Sequence, residues 1–191
     1  MIHFVGAGPG APDLITVRGQ RLLQEADQVI YAGSLVNPEL LKLTKEGCRI
    51  YNSAVMTLEE VLFQMQEGEE KGWMTVRLHT GDPSLYGAVR EQMDRLDELG
   101  ISYDSCPGVS SFSGAAAALN LEYTLPDVSQ SVVITRMEGR TPVPEKEKVT
   151  LLCRASVHYG VVFKSPGFCK ETGSRASGRR ICSGNSGSHR L

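Results

Sequence analysis

Met74-Thr-Val-Arg-Leu-His-Thr-Gly-Asp-Pro-Ser-Leu-Tyr-Gly87 passes from an apolar segment into a glycine-proline loop. Residues 74–79 are predicted to form a strand, and residues 87–99 a helix that Gly100 closes. The predicted buried face of that helix consists of Val89, Met93, Leu96 and Leu99. A strand, a tight loop and a helix in succession are the unit of a parallel sheet, because parallel strands need a long crossover connection. This segment therefore predicts an α/β fold.

The same unit recurs on both sides of this segment. A helix over residues 57–71 begins with a capping box, in which Thr57 and Glu60 bind each other's backbone N–H groups. A helix over residues 16–25 offers Val17, Leu22 and Leu23 for burial. Further strands are predicted at residues 2–5, 28–31, 49–52, 102–106 and 131–135, and further helices at residues 38–43 and 110–119. The alternation predicts a mostly parallel sheet flanked by helices over residues 1–149, followed by an irregular tail over residues 150–191.

Composition excludes several classes of protein. Hydrophobic residues make up 41% and charged residues 22% of the chain, as in ordinary soluble globular proteins. No run of about 18 apolar residues predicts a membrane span, and the first residues do not resemble a signal peptide, so we expect a cytoplasmic location and no membrane partner. The five cysteines form no Cys-x-x-Cys pair, so neither a metal site nor a disulfide framework is predicted.

The net charge of −2 hides an acidic body and a basic carboxyl-terminal segment. From residue 152 onward the chain has seven Arg or Lys residues and one acid, Glu171. A basic arm is typical of nucleic-acid binding, but this segment lacks aromatic residues interleaved with its charges for base stacking. A nucleic-acid partner is therefore not expected.

A second glycine loop, Gly6-Ala-Gly-Pro-Gly10, follows the first predicted strand. Its position suggests a dinucleotide-binding loop, which needs the spacing Gly-x-Gly-x-x-Gly and an acid at the end of the second strand. Ala11 stands where the third glycine is needed, and the second strand ends in Tyr31-Ala-Gly33. A nicotinamide-dependent dehydrogenase is therefore not expected, while a tight turn without a ligand remains an alternative.

The loops at residues 79–87 and 106–111 follow two further predicted strands. Open parallel sheets bind ligands at the carboxyl ends of their strands, and Gly81 would let a ligand approach the backbone closely. Asp82 has two interpretations, a helix cap or a ligand contact, and so have Ser110 and Ser111. Three such junctions at one edge of a sheet together favour a ligand site.

These three loops resemble those of the tetrapyrrole methyltransferase family, which has a glycine-proline loop after the first strand, a Gly-Asp-Pro loop and a Pro-Gly-Val-Ser-Ser loop. The likeness runs from residue 1 to about residue 149. Tyr31-Ala-Gly-Ser-Leu-Val-Asn37 and Thr135-Arg-Met-Glu-Gly-Arg-Thr-Pro-Val-Pro144 are similar to the members that methylate carbon 11 of precorrin-4 or cobalt-precorrin-4 in cobalamin biosynthesis. The resemblance implies an S-adenosylmethionine-dependent C-methyltransferase with a small-molecule tetrapyrrole substrate.

The resemblance also implies two α/β domains with S-adenosylmethionine in the cleft between them, and a homodimer. The residues expected to contact this cofactor are Pro9, Thr80, Gly81, Asp82, Leu85, Tyr86, Ser110 and Ser111. The residues expected in the substrate trough are Arg136, Glu138 and Arg140. Arg suits the carboxylates of such a substrate because it binds them in bidentate fashion, although solvated surface charge remains the alternative for both Arg residues.

Methyl transfer of this kind needs little acid–base machinery, because positioning of the reacting groups and exclusion of water account for most of the rate. No catalytic base stands out; Glu138 is a candidate, and His79 is expected to be a packing or hydrogen-bonding residue. Two alternatives to the activity above stay open. One is another ring-carbon methylase of the corrinoid or sirohaem pathway, and the other is a non-catalytic fragment that keeps the fold.

The carboxyl-terminal segment departs from the family, whose members continue into a second α/β domain. Residues 164–191 are rich in Gly and Ser and show no sustained apolar period, so they offer too little apolar surface to offset the entropy of ordering. A shift of the reading frame forward by one nucleotide permits Val-Leu-Phe-Leu-Ser within residues 160–165 and Ala-Pro-Glu-Thr-Pro-Val-Ala-Ile-Val-Tyr within residues 181–191. Both resemble strands of the second domain. We interpret residues 150–191 as an out-of-frame tail that replaces this domain and impairs activity.

The DNA that encodes residues 145–160 tests this interpretation. It is expected to contain a one-nucleotide shift between about codon 149 and codon 152 relative to genes of the family. Downstream of the shift, the codons are expected to encode the second-domain segments given above. Sequencing of this region decides the matter, and codons that do not permit those segments would contradict the frameshift.

Overall fold

The computed structural model describes residues 1–127, 130–136, 142–148, 159–163 and 181–183. The chain divides into two compact units, residues 1–114 and residues 115–191. The described strands are β1 (Ile2–Gly6), β2 (Gln28–Tyr31), β3 (Arg49–Asn52), β4 (Thr75–His79), β5 (Tyr103–Cys106), β6 (Val132–Arg136), β7 (Tyr159–Phe163) and β8 (Ile181–Ser183). The described α-helices are α1 (Val17–Glu25), α2 (Leu58–Glu70), α3 (Arg90–Glu98) and α4 (Ser111–Leu119), with 3-10 helices at Pro12–Leu14, Gly33–Leu35, Pro38–Leu43, Ser53–Val55 and Glu145–Glu147. None of the helices in these ranges is long and apolar enough to span a membrane.

The first unit is built on a five-stranded sheet in the order β3-β2-β4-β1-β5, in which all neighbouring strands run parallel. This confirms the predicted parallel α/β fold. From β1 the chain passes through α1 to β2, whereas from β4 it passes through α3 to β5. The chain thus leaves two adjacent strands in opposite directions. Such a reversal opens a crevice at the carboxyl ends of the strands.

Apolar side chains cover both faces of this sheet, as expected for parallel strands. Val5 of β1 packs with Leu23 of α1 on one face. Its neighbour Phe4 packs with Met65 of α2 and Leu96 of α3 on the other face. Consecutive residues of β1 therefore enter different cores, which explains why this strand is buried throughout instead of alternating between buried and exposed residues.

The α2 helix begins as its capping box predicts. The Thr57 hydroxyl accepts a hydrogen bond from the Glu60 N–H at 3.2 Å, and the Glu60 carboxylate accepts one from the Thr57 N–H at 2.7 Å. Two N–H groups that a helix leaves without an internal partner are thereby satisfied. Because this signal is local, the sequence was sufficient to place the start of α2.

The α3 helix begins at Arg90, three residues later than predicted. Tyr86 and Ala88 have left-handed backbone conformations, with φ of 57° and 50°, which a right-handed helix does not contain. The predicted buried face is wrong at Leu99, which lies past the last helical residue and is 46% exposed. The polar side chain of Gln92 is buried on this helix instead.

A second correction concerns α1. Val17 was predicted to be buried, but it is 86% exposed, whereas Leu22 and Leu23 are buried. At about 100° per residue, Val17 lies roughly 120–140° around the helix axis from both leucines. It therefore faces away from the sheet that they cover.

The second unit contains a three-stranded parallel sheet in the order β6-β7-β8. Val132 pairs with Tyr159, and Arg136 pairs with Phe163. Strands β7 and β8 lie within residues 150–191, for which no strand was predicted. The other residues of that segment lie outside the described ranges, so the expected boundary at residue 149 stays a prediction.

The carboxyl-terminal end of β4 carries a buried histidine. His79 is 3% exposed, and its ring stacks on Phe4 with 6.1 Å between the ring centroids. Its Nε2 atom has no hydrogen-bond partner among the described residues. Burial, together with the charge of Arg77, lowers the pKa of His79 to about 3. The neutral, stacked imidazole is that of a packing residue.

We predict that acid destabilises the fold through His79. Above about pH 6.5 the imidazole is neutral in both states, but at lower pH the unfolded chain takes up a proton that the folded chain excludes. The His79 contribution should lower the free energy of unfolding by up to ~1.4 kcal/mol for each pH unit of acidification between about pH 6 and pH 4. Denaturant unfolding of wild type and His79→Phe across this range measures the difference in slope. Equal slopes would contradict the account.

Candidate functional site

Three loops lie at the carboxyl-terminal edge of the five-stranded sheet. They are the β1 loop (residues 7–11), the β4 loop (residues 80–89) and the β5 loop (residues 107–110). Their strands occupy adjacent places in the order β4-β1-β5. Because neighbouring parallel strands end at the same edge, the three loops lie side by side, and we call this region the three-loop site.

Backbone hydrogen bonds join the β1 loop to the β4 loop. Gly8 and Gly81 form an isolated antiparallel bridge. The Gly8 N–H donates to the Gly81 carbonyl oxygen at 3.2 Å, and the Gly81 N–H donates to the Gly8 carbonyl oxygen at 2.8 Å. The Ala7 N–H donates to the His79 carbonyl oxygen at 2.7 Å. Backbone hydrogen bonds between the two segments therefore continue past the end of the parallel sheet, where the chains meet in an antiparallel bridge.

Gly6, Gly81 and Gly108 lie against one another where the three loops meet, and we call them the glycine junction; at Gly6 and Gly108 there is no room for a side chain. A Cβ atom on Gly6 would lie 2.5 Å from both the Gly108 Cα atom and the Gly81 carbonyl oxygen. A Cβ atom on Gly108 would clash with the same carbonyl oxygen. The atoms in the way belong to the backbone, so they cannot turn aside as a flexible side chain could. The three loops can meet because Gly6 and Gly108 have no Cβ atom. Gly81 is needed for a different reason, since its φ of 62° lies in the left-handed region that favours glycine.

Asp82 links the β4 loop to the β5 loop. Its Oδ2 atom accepts a hydrogen bond from the Gly108 N–H at 2.9 Å, and its Oδ1 atom accepts from the N–H and the hydroxyl of Ser84 at 2.8 and 2.5 Å. Burial opposes ionisation, but the bonds from Ser84 and Gly108 together outweigh it and lower the pKa of this carboxyl. The cap interpretation of Asp82 is wrong, because α3 begins only at Arg90.

Two contacts with other parts of the first unit hold the β1 loop. Pro9 packs against Gly114, where an added Cβ atom would lie 2.6 Å from the Pro9 Cβ atom. The Asn37 side chain donates from Nδ2 to the Gly10 carbonyl oxygen at 2.7 Å, and its Oδ1 atom accepts from the Glu39 N–H at 3.0 Å. The loop is therefore held at two consecutive residues.

The structure brings all eight predicted cofactor residues to the three-loop site. Seven of them belong to the loops, and Ser111 is the first residue of α4. Gly81 and Ser110 are buried, whereas the Tyr86 side chain is 52% exposed. The eight residues are Pro9, Thr80, Gly81, Asp82, Leu85, Tyr86, Ser110 and Ser111. That they contact a ligand stays a prediction.

The predicted substrate residues belong to the second unit. Arg136 is the last residue of β6, is partly exposed, and donates from Nη2 to the Pro142 carbonyl oxygen at 2.9 Å. Glu138 and Arg140 lie outside the described residues. Their expected role in a substrate trough therefore stays a prediction.

Several residues that build the site were not among those predicted. They include Asn37, which binds the β1 loop, Gly6 and Gly108 of the glycine junction, Gly8 of the bridge to Gly81, and Gly114, which contacts Pro9. The sequence held one signal for Gly114, because a glycine within an alanine-rich helix lowers helix stability by about 1 kcal/mol relative to alanine and so indicates a packing requirement. Asn37 has an ordinary local role as a helix cap, which hides its contact with Gly10.

The ionisable groups of the three loops are few. Residues 7–11, 80–89 and 107–110 contain Asp82 and Tyr86 but no His, Cys, Lys, Arg or Glu. The other polar groups are hydroxyls and backbone amides, such as those of Thr80 and Ser110. This composition suits recognition of a polar small molecule through hydrogen bonds, and it offers no adjacent pair of nucleophile and base.

Comparison with known proteins gives the following similarities. A model of the family described as tetrapyrrole (corrin/porphyrin) methylases matches residues 1–167, past the boundary expected at residue 149. Cobalt-precorrin-4 C(11)-methyltransferase of Methanocaldococcus jannaschii is 56% identical over 153 residues, which cover 80% of this chain and 59% of that protein. The chain thus spans about three fifths of the length of this relative.

Solved structures that are similar to this one include two methyltransferases. The X-ray structure of cobalt precorrin-4 methyltransferase, a cobalamin biosynthetic enzyme, matches with a TM-score of 0.77 and 50% identity, covering 80% of this chain and 64% of that one. Uroporphyrin-III C-methyltransferase from Thermus thermophilus, complexed with S-adenosyl homocysteine, matches with a TM-score of 0.63 and 28% identity, covering 76% and 63%.

We predict that Gly108→Ala separates the β4 and β5 loops and lowers the free energy of unfolding by about 1–3 kcal/mol or more, since a methyl group is forced against backbone atoms. Chemical denaturation measures the loss, and amide hydrogen exchange at Gly81 and Gly108 locates it. Gly100→Ala is the control. A Cβ atom there meets nothing within 4 Å, so the variant incurs only the backbone strain of φ +66°. Equal effects of both variants on loop exchange would contradict the glycine junction.

Proposed function

The chain belongs to the tetrapyrrole (corrin/porphyrin) methylase family, and on that premise we propose that its residues 1–149 are the cofactor-binding part of an S-adenosylmethionine-dependent methyltransferase of cobalamin biosynthesis. The proposed reaction is methylation of carbon 11 of precorrin-4 or cobalt-precorrin-4. The 56% identity to a cobalt-precorrin-4 C(11)-methyltransferase supports this substrate class. A homodimer in the cytoplasm is part of the same proposal.

The observation that carries the proposal is the convergence of the three loops. The Gly8–Gly81 bridge and the bond from Gly108 to Asp82 hold three strand ends together at the point where the chain direction reverses. Open parallel sheets bind their ligands at such a point. A structural relative at 28% identity is complexed with S-adenosyl homocysteine, the product left when S-adenosylmethionine gives up its methyl group.

The residues of the three-loop site fit a polar nucleoside ligand. The Asp82 carboxylate accepts three described hydrogen bonds, and a carboxylate offers about four lone-pair positions. One position therefore remains for a ribose hydroxyl or an amino group. The hydroxyls of Thr80, Ser110 and Ser111 add further hydrogen-bonding groups, and Pro9, Leu85 and Tyr86 add apolar surface.

The proposed chemistry agrees with the small number of ionisable groups in the loops. S-adenosylmethionine, when bound, supplies an electrophilic methyl group, and the protein's task is to hold a ring carbon in line with it. The rate then depends mainly on orientation and exclusion of water. Such a reaction needs no nucleophile from the three-loop site. We assign Arg136, Glu138 and Arg140 to the substrate, with Arg binding its carboxylates.

The location of the cofactor site is tested by titrating the ¹⁵N-labelled chain with S-adenosylhomocysteine and following its amide resonances. We expect shifts at Gly8, Gly81 and Gly108 and none on the far side of the sheet, for example in α2. Affinity is expected to be weaker than micromolar because we interpret residues 150–191 as an out-of-frame tail in place of the second domain. Calorimetric binding in the micromolar range would contradict that impairment. Shifts that avoid the three loops would contradict the cofactor site itself.

A matched pair of variants assigns the role of Asp82. Asp82→Asn places an amide against the N–H donors of Ser84 and Gly108. We therefore expect the amide resonance shifts that S-adenosylhomocysteine produces at the β5 loop to disappear. Asp94→Asn changes the same charge at an exposed surface pair with Arg90 and is expected to bind as wild type does. Identical titrations of both variants would exclude Asp82 from the site.

A methyl-transfer assay tests the activity and separates the alternatives. With labelled S-adenosylmethionine and precorrin-4 or cobalt-precorrin-4, the 191-residue chain is expected to give no turnover, and the product of a gene with the restored reading frame is expected to label carbon 11. Label at another ring carbon would favour a different methylase of the pathway. Absence of labelling by both proteins would favour a non-catalytic member of the fold.

A further inference from the structure

Arg77 is a buried cation that has no carboxylate partner in the part of the chain that the structure describes. It lies on β4, two residues before the strand ends, and is 6% exposed. Its Nε atom donates to Gln92 Oε1 at 2.9 Å and its Nη1 atom donates to the Ile30 carbonyl oxygen at 3.1 Å. Among the described residues, no Asp or Glu oxygen lies within 4.0 Å of this guanidinium. A buried charge whose described partners are neutral oxygens is costly to the fold, which points to a role for Arg77 beyond stability.

The Gln92 side chain connects Arg77 to the β4 loop. Its side chain is also 6% exposed, so solvent does not compete for its amide. While Oε1 accepts from Arg77, the Nε2 atom donates to the Ala88 carbonyl oxygen at 3.0 Å. Because a primary amide has a carbonyl acceptor at one end and a donor at the other, one side chain connects the guanidinium to the loop backbone.

The backbone that receives this bond is held in an unfavourable conformation. Tyr86 and Ala88 both have positive φ, 57° and 50°, a conformation that is unfavourable for a residue with a Cβ atom. Between them Gly87 lies so close to the Pro83 carbonyl oxygen that a Cβ atom would clash with it. Strained conformations of this kind persist only where surrounding contacts impose them. The Arg77–Gln92 pair supplies such a contact from the rigid centre of the sheet.

We infer that Arg77 and Gln92 are positioning residues that hold the Tyr86–Ala88 segment in its left-handed conformation and so present Tyr86 to the ligand of the three-loop site. The Ile30 carbonyl fixes the guanidinium to β2, the guanidinium orients the Gln92 amide, and the amide binds Ala88. Tyr86, half exposed beside this turn, is the part of the loop placed for contact. The inference deepens the proposed function and rests on it for the identity of the ligand.

The test is Gln92→Glu, which separates the two bonds of the amide. A glutamate keeps an acceptor for Arg77 and gives it a counter-ion, but the ionised carboxylate has no donor for the Ala88 carbonyl oxygen. We expect the thermal midpoint to stay within the range of the control, whereas amide exchange at residues 85–89 speeds up by about five- to tenfold, as loss of one hydrogen bond produces. S-adenosylhomocysteine should bind more weakly by a similar factor. Gln24→Glu, which introduces the same charge on the exposed side of α1, is the control.

The outcomes are distinct. Unchanged amide exchange at residues 85–89 would overturn the inference. Acceleration spread evenly over the chain with a fall in the thermal midpoint would also overturn it, since a purely structural role predicts that pattern.

Arg77→Lys provides a second variant if Gln92→Glu does not fold, because one ammonium group lacks the rigid fork that reaches both Gln92 and Ile30. The same local acceleration of amide exchange is expected. If wild type shows no response to S-adenosylhomocysteine, the proposed function fails, and the exchange data still decide whether Arg77 and Gln92 position the loop.

Discussion

The backbones of three loops touch at Gly6, Gly81 and Gly108, and the rest of the candidate site depends on this contact. A single Cβ atom at Gly6 or Gly108 would lie against backbone atoms of a neighbouring loop. With the backbones in contact, the Gly8–Gly81 bridge can form, and the Gly108 N–H comes within 2.9 Å of Asp82. The loops therefore behave as one surface, whose ligand groups come from three separate strands.

Two charged side chains hold this surface in complementary ways. Asp82 is an anion satisfied by N–H and O–H donors from two loops, which lower the pKa of its carboxyl despite partial burial. Arg77 is a cation satisfied by carbonyl oxygens of a strand and a side chain. Burial lowers its pKa to about 10, so it remains charged at neutral pH. Neither charge has an ion-pair partner among the described residues, and each orders a loop through directional hydrogen bonds.

Local signals predicted most of the elements of the first unit and failed where distant contacts set the conformation. The capping box of Thr57 placed the start of α2 because both partners lie within one turn. The start of α3 was predicted too early, because Gln92 imposes the left-handed turn at Tyr86 and Ala88. Gln92 is in turn oriented by its hydrogen bond from Arg77. The exposure of Val17 follows from helix geometry alone. Counting about 100° per residue around the axis of α1 would have predicted it from the sequence.

By itself, the sequence determined the strand–loop–helix alternation, the parallel sheet and the family, because apolar periodicity and glycine-proline loops are read over short distances along the chain. It also placed the eight cofactor candidates in three loops. Only the tertiary structure decided the strand order β3-β2-β4-β1-β5, the glycine junction, and the use of Asn37 and Gly114 to hold the β1 loop. These features join residues far apart in the chain, and the packing that selects them exists only once the sheet has formed.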